Sequence, residues 1–251
     1  MRIWLRPVKG GGAEMNFTRN AGRFAGLLYV IASIPGFFAL AYVPSKLLVQ
    51  GNAAATAGNI AAHEMLFRLG IAADLVGQVI FIFVALALYD LLKAVNRRRA
   101  RLMLILILVA VPIAMLNEVN SVAALLLVRG APFLAVFPQP QRDALARLFL
   151  NLRGGGFEVA GICWGLWLFP LGLLVYRSGF VPRFLGVLLM IATFAYLANS
   201  FTSLVVPQYE GLVSRWMDPL QAVELVFMLW LLIMGAKPKP LAGAGAGGVA
   251  A

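Results

Sequence analysis

Apolar residues run through this chain in six long blocks, each ended by charge, proline or glycine. The blocks fall at residues 23–43, 71–92, 102–128, 157–176, 184–206 and 219–235. Each approaches the roughly 20 residues an α-helix needs to cross a bilayer. The pattern predicts an all-α polytopic transmembrane helical bundle of about six spans, flanked by a basic segment over residues 1–22 and a Gly/Ala-rich, disordered tail over 236–251. Arg19 and Arg23 before an apolar core ending in Ala39-Leu40-Ala41 also have a signal-peptide pattern. The core is long for that role and no soluble ectodomain follows, so a retained first helix is expected. Met15 is an alternative start.

Between the blocks, the stretch from Pro138 to Arg153 places Leu145, Leu148, Phe149 and Leu152 at helical spacing. This predicts either a helix lying in the outer interface or a helical hairpin within the loop. Asn59 is expected to cap a helix running through Arg68 into the second span.

Composition confirms the solvent. Of 251 residues, 62% are hydrophobic and 12% charged, against about half and a quarter in soluble domains. The net charge of +11 lies in short blocks between apolar runs, which is membrane orientation rather than nucleic-acid binding. With the N-terminus inside, inner segments hold twice as many Lys and Arg as outer ones. The loop Asn96-Arg97-Arg98-Arg99-Ala100-Arg101 is the hardest to translocate, so an N-in, C-in topology in a bacterial cytoplasmic membrane is expected.

Several stretches resemble the uncharacterised bacterial membrane family called domain of unknown function 4386. One is Trp164-Gly165-Leu166-Trp167-Leu168-Phe169-Pro170-Leu171-Gly172, leading to Arg177-Ser178-Gly179-Phe180-Val181-Pro182-Arg183-Phe184-Leu185-Gly186. Others are Leu66-Phe67-Arg68-Leu69-Gly70 with Asn59, Ile60 and Glu64, and Ala87-Leu88-Tyr89-Asp90-Leu91-Leu92-Lys93. The resemblance implies a multi-pass membrane protein and no established activity. Gly179 and Pro182 have the chemistry of a tight turn. Gly22/Gly26, Gly161/Gly165 and Gly186 suit close helix packing.

Candidate chemistry is narrowed first by what is missing. His63 is the only histidine and Cys163 the only cysteine, which excludes a bis-His haem, a three-His zinc site and a disulfide within one chain. All lysines lie at helix ends or in loops, and no phosphate-binding loop or nucleophile elbow is present. The sequence therefore points to no cofactor, no metal site and no catalytic set, and leans away from an enzyme.

What remains is a crowd of acids toward the outer side. Asp74, Glu118, Glu158 and Glu224 fall in or at the edge of spans, with Gln78, Asn117, Asn120, Ser121, Asn199 and Gln221 at similar counted depth. His63, Phe67, Asp74 and Gln78 form one helical stripe. Ionisable groups in a membrane face the bundle interior or water, so Asp74, Gln78, Glu118, Asn117, Asn199, Gln221, Glu224 and His63 are expected to line an outward pocket. Arg68 and Arg153 are available partners. Three readings stay open: binding, sensing or transport of a proton, cation or small polar ligand; an accessory protein whose polar groups serve assembly; and an enzyme using two carboxylates. The bilayer is the one partner the sequence names, and protein partners stay open.

Overall fold

A computed structural model of the chain describes residues 11–179 and 181–236. The expected basic segment before Gly11, with Trp4, and the expected tail from residue 237 onward lie outside the described residues. Among the described residues there are α-helices and short 3-10 or π segments, and no strand.

Six helical stretches are long and apolar enough to cross a membrane. The first is α1 (Gly11–Phe37), a π-helical segment (Phe38–Tyr42) and α2 (Val43–Leu47). Pro35 and Pro44 bracket the π segment; a ring that lacks an N–H cannot continue the regular ladder. A short α3 (Ala53–Ala62) leads into the second span, α4 (Glu64–Leu92). The third is α5 (Arg97–Asn117) and α6 (Val119–Arg129), interrupted at Glu118. The fourth is one 40-residue helix, α7 (Gln139–Ser178). The fifth is α8 (Arg183–Val205), and the sixth is α9 (Glu210–Gln221) with α10 (Val223–Met234), broken at Ala222 beyond Pro219.

Local chemistry sets the ends. Asn96 takes the Arg99 N–H at 3.0 Å and starts α5, while Gly130 and Gly179, at φ 64° and 67°, close α6 and α7; only glycine adopts that geometry without strain. Asn59 does not cap the second span. Asn52 caps α3 through the Ala55 N–H at 2.8 Å, and Asn59 sits inside α3, donating from Nδ2 to the Leu47 carbonyl at 3.2 Å. Gly51, at φ 71°, turns the chain just before Asn52, so the cap forms earlier than expected.

The segment approaching the fourth span is continuous with it. Its first part packs against α6 through Ala124, Leu127 and Ala146, with Leu145, Phe149 and Leu150 alongside. The helical hairpin is therefore the arrangement adopted: Leu145 and Phe149 of the expected stripe turn toward α6, while Leu148 and Leu152 stay exposed. Below it a larger core joins all six spans through Tyr29, Leu88, Met103, Ile107, Trp167, Leu171, Leu185 and Phe227. The glycines allow close crossings: a Cβ at Gly172 would lie 2.6 Å from the Gly186 carbonyl oxygen. Large exposed side chains such as Phe24, Phe83, Phe194 and Ile233 ring this core; in a bilayer they face lipid.

Candidate buried acid cluster and membrane family

Three spans bring ionisable side chains to one place, at the break in the third. Asp74 on α4 and Glu118 at the α5–α6 break are each 2% exposed. Between them stands Arg153 of α7, its side chain 17% exposed. Arg153 Nε donates to Glu118 Oε1 at 2.7 Å, and Nη2 lies 3.7 Å from Asp74 Oδ2. The guanidinium also stands 4.9 Å from the Phe157 ring centre, a favourable place for a cation.

Neighbours fix this arrangement from both sides. Gln78 Nε2 donates to Asp74 Oδ1 at 3.2 Å, one turn along α4. Asn117 Nδ2 donates to the Arg153 carbonyl at 2.7 Å, and Asn120 holds Asn117 Oδ1 at 3.0 Å. Asn117 can approach because residue 156 is glycine; a Cβ there would collide with the Asn117 amide. The break at Glu118 matters too. Its N–H turns back to the Met115 and Leu116 carbonyls, which swings the side chain off the regular path of α5.

Counting charge exposes the imbalance. Two carboxylates and one guanidinium leave one negative charge if both acids are ionised. Asp74 Oδ2 and Glu118 Oε2 are buried and accept no hydrogen bond. The two carboxyls are close enough to hydrogen-bond each other once one carries a proton. Beside them lies a cavity of about 30 Å³, lined by Glu118, Ser121 and Arg153 with Ala39 and Val43 of the first span and Gly70 of α4. That volume admits water.

Depth follows from helix geometry. Glu64 and Arg129, 3.6 Å apart, mark the outer ends of the second and third spans, and the acid pair lies roughly 15 Å below them at 1.5 Å per residue. From the inner ends at Leu92 and Arg97 the distance is about 27–32 Å. With a hydrocarbon core about 30 Å thick, the cluster sits at its outer edge, with outer defined by the Lys/Arg count.

The other expected site residues lie elsewhere. His63 is exposed at the junction of α3 and α4, its Nδ1 3.2 Å from the Asn59 carbonyl oxygen. Asn199 donates from Nδ2 to Asp218 of α9 at 2.8 Å, and Gln221 ends α9. Glu224 meets Tyr29 and Tyr196. Arg68 pairs with Glu64 at 2.7 Å. Asp74, Gln78, Glu118 and Asn117 are thus brought together, whereas His63, Asn199, Gln221 and Glu224 are not part of that network. Of the two arginines expected as available partners, Arg153 is the centre of the network and Arg68 is not part of it. Among the described residues no three His, Cys, Asp or Glu side chains are placed to hold a metal ion.

Six membrane-competent helices around a buried ionisable cluster define a multi-pass integral membrane protein. Residues 24–235 match the family described as Domain of unknown function (DUF4386), and the chain belongs to that family. An uncharacterized protein of Archaeoglobus fulgidus is 32% identical over 80 residues, covering 32% of this chain and 46% of the relative. The match thus spans about half of that curated relative's length. No solved structure matches the chain.

The family-like stretches have structural work. Gly179 makes the turn between α7 and α8, Arg183 stands over the Tyr176 ring at 5.8 Å, and Trp167, Leu171 and Leu185 are core residues.

Proposed function

We propose that this protein, in a bacterial cytoplasmic membrane, binds one monovalent positive charge, a proton in the first place, at the Asp74–Glu118–Arg153 cluster near the outer face. The observation that carries this reading is the pair of buried carboxylate oxygens without a hydrogen-bond donor, beside a single guanidinium already engaged. One proton shared by Asp74 and Glu118 makes the cluster neutral and supplies the missing donor. Burial of an unbalanced charge is unfavourable, so occupancy of the site and stability of the bundle are linked. Arg153 repels a second cation centre, which favours a proton over a metal ion.

The arrangement suits a sensor or the gate of a transport cycle. The acid pair touches the break in the third span, and its cavity touches the π segment of the first. π segments within helices are frequent at functional sites. Loss of the proton puts net negative charge where these two irregular segments meet.

Thermal unfolding across pH tests the reading. Stability of the wild type should fall as pH rises from the range where exposed carboxylates titrate to the point where the cluster gives up its proton, and level off above it, because the occupied cluster is neutral and the empty one carries −1. Glu118→Gln leaves Arg153 with Asp74 alone, a neutral pair with no proton to lose, and should flatten that dependence while still folding. Rescue at high pH by sodium but not by choline would assign the site to a small cation instead. A Glu118→Gln protein with the wild-type pH response would remove the proposal.

A further inference from the structure

Glu224 stands apart from the outer cluster in both depth and chemistry. It lies ten residues before Met234, the inner end of α10, which is about 15 Å at helical rise. Tyr29 is likewise ten residues beyond Arg19, the inner end of the first span. This height is the middle of a hydrocarbon core about 30 Å thick. The acid cluster described above lies about 12–17 Å further out.

At that depth Glu224 has phenols as neighbours. Its Oε2 accepts from the Tyr29 hydroxyl, and Tyr196 of α8 reaches the same carboxyl. Tyr29 is 6% exposed and packs against Phe81 of α4 and Trp167 of α7, with ring centres 5.6 and 6.4 Å away. Among the described residues no Lys, Arg or His forms an ion pair with Glu224. The ionisable groups facing it are Tyr29 from α1, Tyr196 from α8 and, through Tyr196, Asp218 of α9; α4 and α7 contribute Phe81 and Trp167. Arg23 is engaged further in, at the Ile233 carbonyl, 3.0 Å away.

A structural lock does not require an ionisable group here. Gly26 already brings the first span onto the Leu231–Leu232 backbone, and Ser33 Oγ reaches Met228 Sδ at 3.4 Å. An intramembrane acid without a cationic partner is a functional candidate. Two phenol donors favour the carboxylate, while surrounding hydrocarbon penalises it. That opposition lets a carboxyl take up and release a proton.

We propose that Glu224, held by Tyr29 and Tyr196, is a second proton-binding site at mid-membrane, separate from the Asp74–Glu118–Arg153 cluster. Uptake adds one proton to the carboxylate and breaks no covalent bond; the resulting acid donates its hydrogen to one of the two phenol oxygens. The proposal stands whether or not the outer cluster titrates.

Infrared difference spectra between low and high pH, taken on the full chain in lipid bilayers, test it. A protonated-carboxyl band should persist in Asp74→Asn and Glu118→Gln proteins and vanish in Glu224→Gln. Tyr29→Phe and Tyr196→Phe should each move that band's midpoint toward higher pH by about one unit, since the anion loses a charge-assisted donor. Identical difference spectra for the wild type and Glu224→Gln would overturn the proposal, as would loss of the band only in the outer-cluster variants. If Glu224→Gln does not fold, the two Tyr→Phe proteins decide: unmoved midpoints in both overturn it. Failure of the outer-cluster reading has its own signature, namely no band lost in Asp74→Asn or Glu118→Gln.

Discussion

Replacing Arg153 by Gln removes the only positive charge beside two buried carboxyls. Removing one side of a buried ion pair costs about 3–5 kcal/mol, because the remaining charge is left uncompensated. Loss of the cation 4.9 Å from the Phe157 ring adds about 0.5–1 kcal/mol. Arg153 is 17% exposed, so some water reaches it and the lower end applies: about 3 kcal/mol. The Asn117 bond to the Arg153 carbonyl is made to main chain and survives, so the α5–α7 contact is not itself lost. Equilibrium unfolding in mixed micelles at high pH reads this loss directly. The loss should shrink as pH falls, because protonated carboxyls no longer need the guanidinium. In an Asp74→Asn/Glu118→Gln background the same substitution should cost about 1 kcal/mol or less, giving a coupling of roughly 2 kcal/mol. Equal costs in both backgrounds, or a single-variant cost below about 1 kcal/mol, would show that the three side chains do not act as a unit.

Orientation is checked by cysteine labelling in a Cys163→Ala background. Cysteines at Arg98 and Gly179 should be shielded from an impermeant thiol reagent in intact cells, and one at Gln141 labelled; the opposite pattern reverses inside and outside. Gly172→Ala puts a Cβ 2.6 Å from the Gly186 carbonyl, so α7 and α8 must separate. It should destabilise the bundle by about 1–3 kcal/mol, and unchanged unfolding would mean the two helices give way freely there.

The six spans were legible because lipid imposes a length and a polarity that composition reveals directly. Their ends were less so. α7 runs on from Gln139 because a helix leaving hydrocarbon can continue by packing Leu145, Ala146 and Phe149 on α6, and no hydropathy change marks that. The sixth span starts at Pro207 rather than near Pro219, which shifts Glu224 from the apparent outer end to the middle. Asp74, Gln78, Glu118 and Asn117 were found by polarity inside apolar runs. Asn199 and Gln221 share that polarity but belong to the α8–α9 contact, since sequence depth carries no information about which helix faces which. Arg153 was expected only as one of two available partners, and Tyr29 not at all; which acid each one meets needed through-space neighbours. An arginine at a span entrance and a tyrosine in an apolar run have ordinary sequence environments.

The most direct measurement is the number of protons taken up by the Asp74–Glu118–Arg153 cluster. Purified wild type and the Asp74→Asn/Glu118→Gln protein, in matched micelles, would be titrated from high pH down to just above the range where exposed carboxylates protonate. The account predicts that the wild type binds one more proton than the variant, whatever Glu224 contributes to both. Equal uptake would mean that the buried acid pair exchanges no proton there and would contradict the account.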